Sequence, residues 1–189
     1  MGEPVSWRSI DELAGVVGRY CWTEHRIFEV AGAWAAAPSG DTAGAEVRVW
    51  CAALSRRHGD LARNWAERLP VRAGVDAAAL VAPSTALASA FDALAEVADP
   101  VRGAAMLVGP VLGGLDAVYA RDLETASPVR EGSVAEVLVA ARRALAAERA
   151  SGEAVLRGMQ TGGEDGSRVR DAFERAFEEI GIFPAVRPS

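Results

Sequence analysis

Four ionisable side chains interrupt helical lines that are otherwise apolar. Leu13, Val17, Tyr20, Glu24, Ile27, Ala31 and Trp34 recur at steps of three and four, the spacing of one buried helical face, and Glu24 stands in its middle. Val47, Cys51, Leu54, His58, Leu61 and Trp65 form a second stripe, broken by His58. Val134, Leu138, Ala141, Leu145, Glu148, Gly152 and Val155 form another, broken by Glu148. Between them, Ala105, Val108, Leu112, Tyr119 and Leu123 share a face with Asp116 at its edge. A bare carboxylate inside a core is costly, so each must be paired, hydrogen-bonded, protonated or metal-bound. A Glu beside a His can pass protons, which makes Glu24 a candidate base and His58 its relay. The same donors suit iron, manganese or zinc. The plainer alternative is a satisfied interior: Glu24 bonded to His58, Tyr20 or an arginine, and Glu148 paired with Arg142 or Arg149 near a solvated edge.

A second group of residues suggests a pocket. Trp34, Trp50 and Trp65 lie on or beside the stripes, and Trp22 flanks one. Together with the space left by Gly109, Gly113 and Gly114, they could line an apolar site, with Tyr20, Asp116, Tyr119 and Glu148 as its polar groups. Aromatics at helical spacing also serve simply as core. The glycine run lacks a following Gly-Lys-Ser/Thr and is no phosphate loop. No Ser-His-Asp set is evident, and His25 points sideways or outward.

The elements that must position these residues are helices. Ser9 with Glu12 is a capping box that starts a helix running to about Ala37, before Pro38-Ser39-Gly40. Asp41 or Thr42 caps a second helix, which runs to about Leu69. After a stretch without pattern, Ser84 to Val97 is a short helix presenting Leu87, Phe91 and Leu94. Asp99-Pro100 caps a third long helix to about Ala126, bent around Gly109-Pro110. Ser133 with Glu136 reads as another capping box for a fourth. A link over 160–166 leads to a last helix from Ser167 to Ile180 with Val169, Phe173 and Phe177 on one face, able to pack on its own chain or on a partner subunit. Met1 to Arg8 reads as a loose lead-in, and Phe183-Pro184 as an extended tail.

The 189 residues suit a single domain, with half of them hydrophobic. The net charge of −6 argues against nucleic acid as partner. No apolar run suggests a membrane span, and no basic start with an apolar core suggests a secretory leader. The two cysteines, Cys21 and Cys51, fall too far apart in height for a disulfide and read as reduced core residues of a cytoplasmic protein.

Two helical hairpins joined by a long crossover imply a four-helix bundle. Counted from the helix ends, Glu24, His58, Asp116 and Glu148 come to similar heights at its middle. The Glu24-x-x-x-Phe28-Glu29 run, the His58 to Trp65-Ala66-Glu67-Arg68-Leu69-Pro70 segment, the crossover, and the Tyr119-Ala120-Arg121-Asp122-Leu123 to Glu148 hairpin are carried by residues 9–157. In these features the chain resembles the ferritin-like superfamily, and looks most like its small bacterial members of unassigned role. The resemblance implies a bundle whose active members hold two irons with a Glu from each of two helices and Glu-x-x-His from each of the others. Glu24 matches the first carboxylate. Ser55 precedes His58 where a Glu is needed, and Ser151 follows Glu148 where a His is needed. The expectation is therefore a degenerate, all-α bundle (9–157) with a link and C-terminal helix (158–189). No metal is favoured, although iron or manganese could suit a mononuclear site. Its expected role is to bind a small, partly apolar ligand or a protein partner. The alternatives are an acid–base or mononuclear metal enzyme acting on a small metabolite through Glu24 and His58, and an oligomeric accessory protein.

Overall fold

A computed structural model describes residues 8–38, 42–70, 74–127, 129, 131–157, 159 and 164–181. Residues 1–7 of the expected lead-in, the Ser39-Gly40 turn, the Asp41 cap, Pro128, residues 160–163 of the link and the Phe183-Pro184 tail lie outside them. The described residues are helical with no strand.

Helix α1 spans Ile10–Ala36. The Ser9 hydroxyl accepts the Glu12 N–H, and the Glu12 carboxylate accepts the Ser9 N–H at 2.6 Å, the reciprocal box that its sequence predicts. Helix α2 spans Thr42–Ala66 and packs along α1. Their polar contacts show the direction. Cys21 donates to the Ala62 carbonyl, Glu24 meets His58, Ser55 donates to the Phe28 carbonyl, and Arg48 donates to the Ala37 carbonyl. As one number climbs the other falls, so the helices are antiparallel.

The crossover carries two helices, α3 (Ala77–Leu80) and α4 (Thr85–Ala95). Ser84 caps α4, as expected, and Leu87, Phe91 and Leu94 are buried. The four-residue α3, started by the Asp76 carboxylate, has no face that a periodicity could reveal.

Asp99 caps α5 (Pro100–Met106), which passes through a π-helical turn (Leu107–Val111) into α6 (Leu112–Thr125). The expected bend is this turn. Pro110 has no N–H to give, and the ladder widens to accommodate it. By length and composition Pro100–Thr125 could cross a membrane, but 56% of its apolar 18-residue window is buried inside the fold. Its apolarity is accounted for by α2, α7 and α8, which pack against parts of it.

Helix α7 spans Gly132–Leu156, and α8 spans Glu164–Gly181. The Ser133–Glu136 capping box does not form. Glu131 is the N-cap, without a side-chain cap bond, and its carboxylate instead accepts the Ser127 N–H. Helix α7 packs against α2 and α6. Helix α8 starts three residues before the expected Ser167 and lies on α4 and α6 of its own chain. Phe173 stacks edge-on to Phe91 at 4.9 Å between ring centres.

Several helices approach each other where glycine removes a side chain. The clearest case is Gly18, where an added Cβ would fall 1.9 Å from the Leu80 carbonyl oxygen. That obstacle is backbone and cannot rotate away. Gly15, one turn earlier, would meet only the Arg19 guanidinium at 3.6 Å. Gly18→Ala therefore lowers unfolding free energy by about 1–3 kcal/mol through overpacking. Gly15→Ala raises it by up to about 1 kcal/mol through helix propensity. Urea unfolding of the two variants checks the opposite signs.

Candidate functional site

The stripes of α1, α2 and α7 bring their polar residues to one place. Glu24 and His58 are 0% exposed and Glu148 is 1% exposed. His58 Nδ1 lies against the Glu24 carboxylate, and His58 Nε2 lies 3.1 Å from Glu148 Oε2. The remaining oxygens are also taken. The Tyr119 hydroxyl donates to Glu24 Oε1 at 2.5 Å, and Arg57 Nε donates to Glu148 Oε1 at 2.6 Å. Trp65 Nε1 then donates to the Tyr119 oxygen at 3.2 Å. The result is one hydrogen-bonded line, Arg57–Glu148–His58–Glu24–Tyr119–Trp65, running from the surface to the core.

Burial by itself pushes the His58 imidazole down. The flanking Glu24 and Glu148 carboxylates more than reverse that and hold it up at about 9. At neutral pH the ring is an imidazolium that donates from both nitrogens. Burial pushes the Tyr119 phenol well above its usual range and Glu24 adds to the effect, so Tyr119 remains a donor.

The structure amends several of the sequence expectations. Asp116 is not in the centre: it accepts from Arg142 Nε at 2.8 Å on a partly exposed edge, and Tyr119 is the inward polar group of α6. Glu148 pairs with His58 and Arg57, not with Arg142 or Arg149. Tyr20 does not reach Glu24: its hydroxyl donates to Asp122 at 2.5 Å, while its ring lies edge-on to Tyr119. Asp122 was missed. It is 3% exposed and also accepts from Arg8 at 2.9 Å. The signal was present, because Asp122 follows Tyr119 by three residues and so shares its face. His25 is exposed beside Glu29, as its position implied.

The expected pocket does not form inside the bundle: Gly113 lies against Arg149, and Gly109 faces open space at the surface, where it lines a recess with Pro110, Gly114 and Phe177. Trp34 lies against Gly103 and donates to the Val97 carbonyl, Phe177 covers Gly114, and Trp50 and Val108 cover Gly152. Trp65 is fully buried. Trp50 borders a groove at the surface. With Ala45, Glu46, Val49, Ala53 and Arg57 of α2 and Ser151 and Val155 of α7, it lines this groove of about 580 Å³. The Trp50 indole N–H donates to Ser151 Oγ at 3.1 Å, fixing the ring against the groove wall.

The donor set does not fit a two-iron centre. Ser55 and Ser151 occupy the positions where that centre needs a Glu and a His, and both hydroxyls donate to backbone carbonyls, of Phe28 and Glu148. Both nitrogens of His58 face carboxylates, so the imidazole separates Glu24 from Glu148 instead of sharing a metal with them. Among the described residues no group of three His, Cys, Asp or Glu converges as a metal site. Comparison with family models, with curated proteins and with solved structures finds no match to this chain.

The imidazolium has a signature in stability. Its pKa is raised from 6.5 to about 9 on folding, so its contribution is complete below pH 6.5 and is lost as pH rises through 9. Burial also raises the thiols, Cys51 to about 12, so their ionisation in the unfolded chain adds to the loss only from about pH 8.5 upward. Between pH 6.5 and 8 the unfolding free energy should fall by about 1–2 kcal/mol. Urea midpoints across that window test this, and NMR should find the His58 ring still protonated at pH 8. A flat midpoint with a ring titrating near 6.5 would refute the buried imidazolium.

Proposed function

We propose that this chain is a ferritin-like four-helix bundle without the family's di-metal ligands, and that it works as a binding protein. It takes a small, partly apolar ligand in the groove between α2 and α7. The contacts that support the bundle run antiparallel between α1 and α2. They do so again between α1 and α6, where Tyr20 meets Asp122 and Glu24 meets Tyr119. Helices α2 and α7 repeat the pattern, with Trp50 on Ser151 and Arg57 on Glu148. Two hairpins joined by a crossover have this arrangement.

The observation that carries the binding reading is the groove itself. Its volume, about 580 Å³, falls within the range of small-molecule sites, and apolar side chains dominate its lining. Val49 is 72% exposed there, the one large apolar side chain left in water among the described residues of α2. Behind the groove the Glu148–His58–Glu24 line fixes α2 against α7 and α1, which keeps the walls in place without a ligand. Acid–base chemistry at Glu24 and His58 has less support, because both residues are fully buried and a substrate has no face of the imidazole to reach. The acidic charge of −6 favours a location and partner apart from nucleic acid, and a cytoplasmic setting suits the two free thiols.

The neutral, environment-sensitive dye N-phenyl-1-naphthylamine tests the groove. It should bind with a rise in fluorescence. Val49→Asp, at an exposed position that costs little stability, should weaken binding at least tenfold. Ala53→Trp should fill the groove and do the same. Absence of binding, or equal binding by all three proteins, would refute the reading.

A further inference from the structure

The groove carries charge at its two ends, and the ends differ. Ala45, Val49, Ala53 and Arg57 follow one another at steps of four along α2, forming a ridge with Arg57 at one end. Glu46 lies three turns from Arg57, about 16 Å away at the helical rise. Between the two charges the lining is Val49, Trp50, Ala53 and Val155, with Ser151 bonded to the indole.

Arg57 is committed on one side only. Its Nε donates to Glu148, and its side chain is 44% exposed. A guanidinium has five N–H donors, and the four on the terminal nitrogens are well suited to gripping a carboxylate. No other carboxylate among the described residues pairs with Arg57. Glu148 does not depend on Arg57 alone, because its second oxygen is held by His58. Nor does the cluster leave surplus negative charge at the groove: Glu24 is answered by His58 and Tyr119, and Glu148 by His58 and Arg57.

Resting on the groove reading above, we infer that the ligand is an amphipathic monoanion, its carboxylate held by the terminal nitrogens of Arg57 and its apolar body laid along Val49, Trp50, Ala53 and Val155. The distance between the charged ends sets the body at about a medium-length chain or a fused ring pair. The charge order sets the direction. A molecule with an anion at each end would place its second anion beside Glu46, where like charges repel.

Displacement of the neutral dye from the full chain measures this with three probes of equal length: decanoate, decanol and decanedioate. Decanoate should bind at least tenfold more tightly than decanol, and decanedioate more weakly than decanoate. Arg57→Gln should remove most of the advantage of decanoate over decanol, and Arg57→Lys should keep part of it because the charge remains. Glu46→Gln should bring decanedioate close to decanoate. If the dye binds but decanoate and decanol compete equally in the wild-type chain, the anion assignment is wrong while the groove reading stands. If the dye itself fails to bind, both fall. If sedimentation instead finds a dimer that Val49→Asp dissociates, the groove belongs to a second copy of the chain and the monoanion is overturned.

Discussion

An imidazolium between two carboxylates, sealed from water, is the constraint on which the arrangement of the long helices depends. His58 sits on α2, Glu24 on α1 and Glu148 on α7. A slip of either neighbour by one turn would move a carboxylate about 5 Å along its helix and leave a charge buried without a partner. Apolar stripes alone do not forbid such slips, since a leucine one turn away packs nearly as well. Removing one member of a buried charged set costs about 3–5 kcal/mol, while replacing the whole set with apolar groups can be neutral. The cluster is therefore better understood as fixing the register of three helices than as a net source of stability.

The rest of the interior is built by close approach. Gly103, Gly114 and Gly152 each sit beneath an aromatic ring, of Trp34, Phe177 and Trp50 respectively. Small residue and large ring are matched across different helices, so the space that these three glycines open is taken up by their neighbours. The π turn contributes to the same fit. By widening the helix at Pro110 it changes the facing of α6 relative to α5, and α6 then presents Tyr119 and Asp122 toward α1.

Much of this was legible in the sequence because a buried helical face repeats at three and four residues. The stripes through Glu24, His58 and Glu148 are buried except at Leu13 and Val155, which are half-buried, and Ser9, Ser84 and Asp99 cap their helices. The residues that eluded it share a physical origin. Asp116 and Tyr119 differ by only about 60° around α6, less than the change in facing that a π turn introduces, so the choice between them was beyond a regular periodicity. Arg57 lies next to His58 in the chain, yet its partner is on α7, and no local spacing reports which helix a surface arginine leans toward. The Ser133 box failed because Glu131 was already turned back onto the Ser127 backbone, a loop contact with no periodic trace.

Arg57 links the buried cluster to the outer surface, and the two sides of that link are unequal. Glu148 is 1% exposed, whereas the Arg57 side chain is 44% exposed. The His58 contact is shielded from solvent and keeps its strength, while the Arg57 contact is partly screened by water and salt. If Arg57 turns toward a bound anion, Glu148 retains the stronger of its two cationic partners. The register of α1, α2 and α7 can therefore persist while the guanidinium changes its company. A rigid interior and an adaptable groove end are compatible in one fold because a single carboxylate, reached from both sides, separates them.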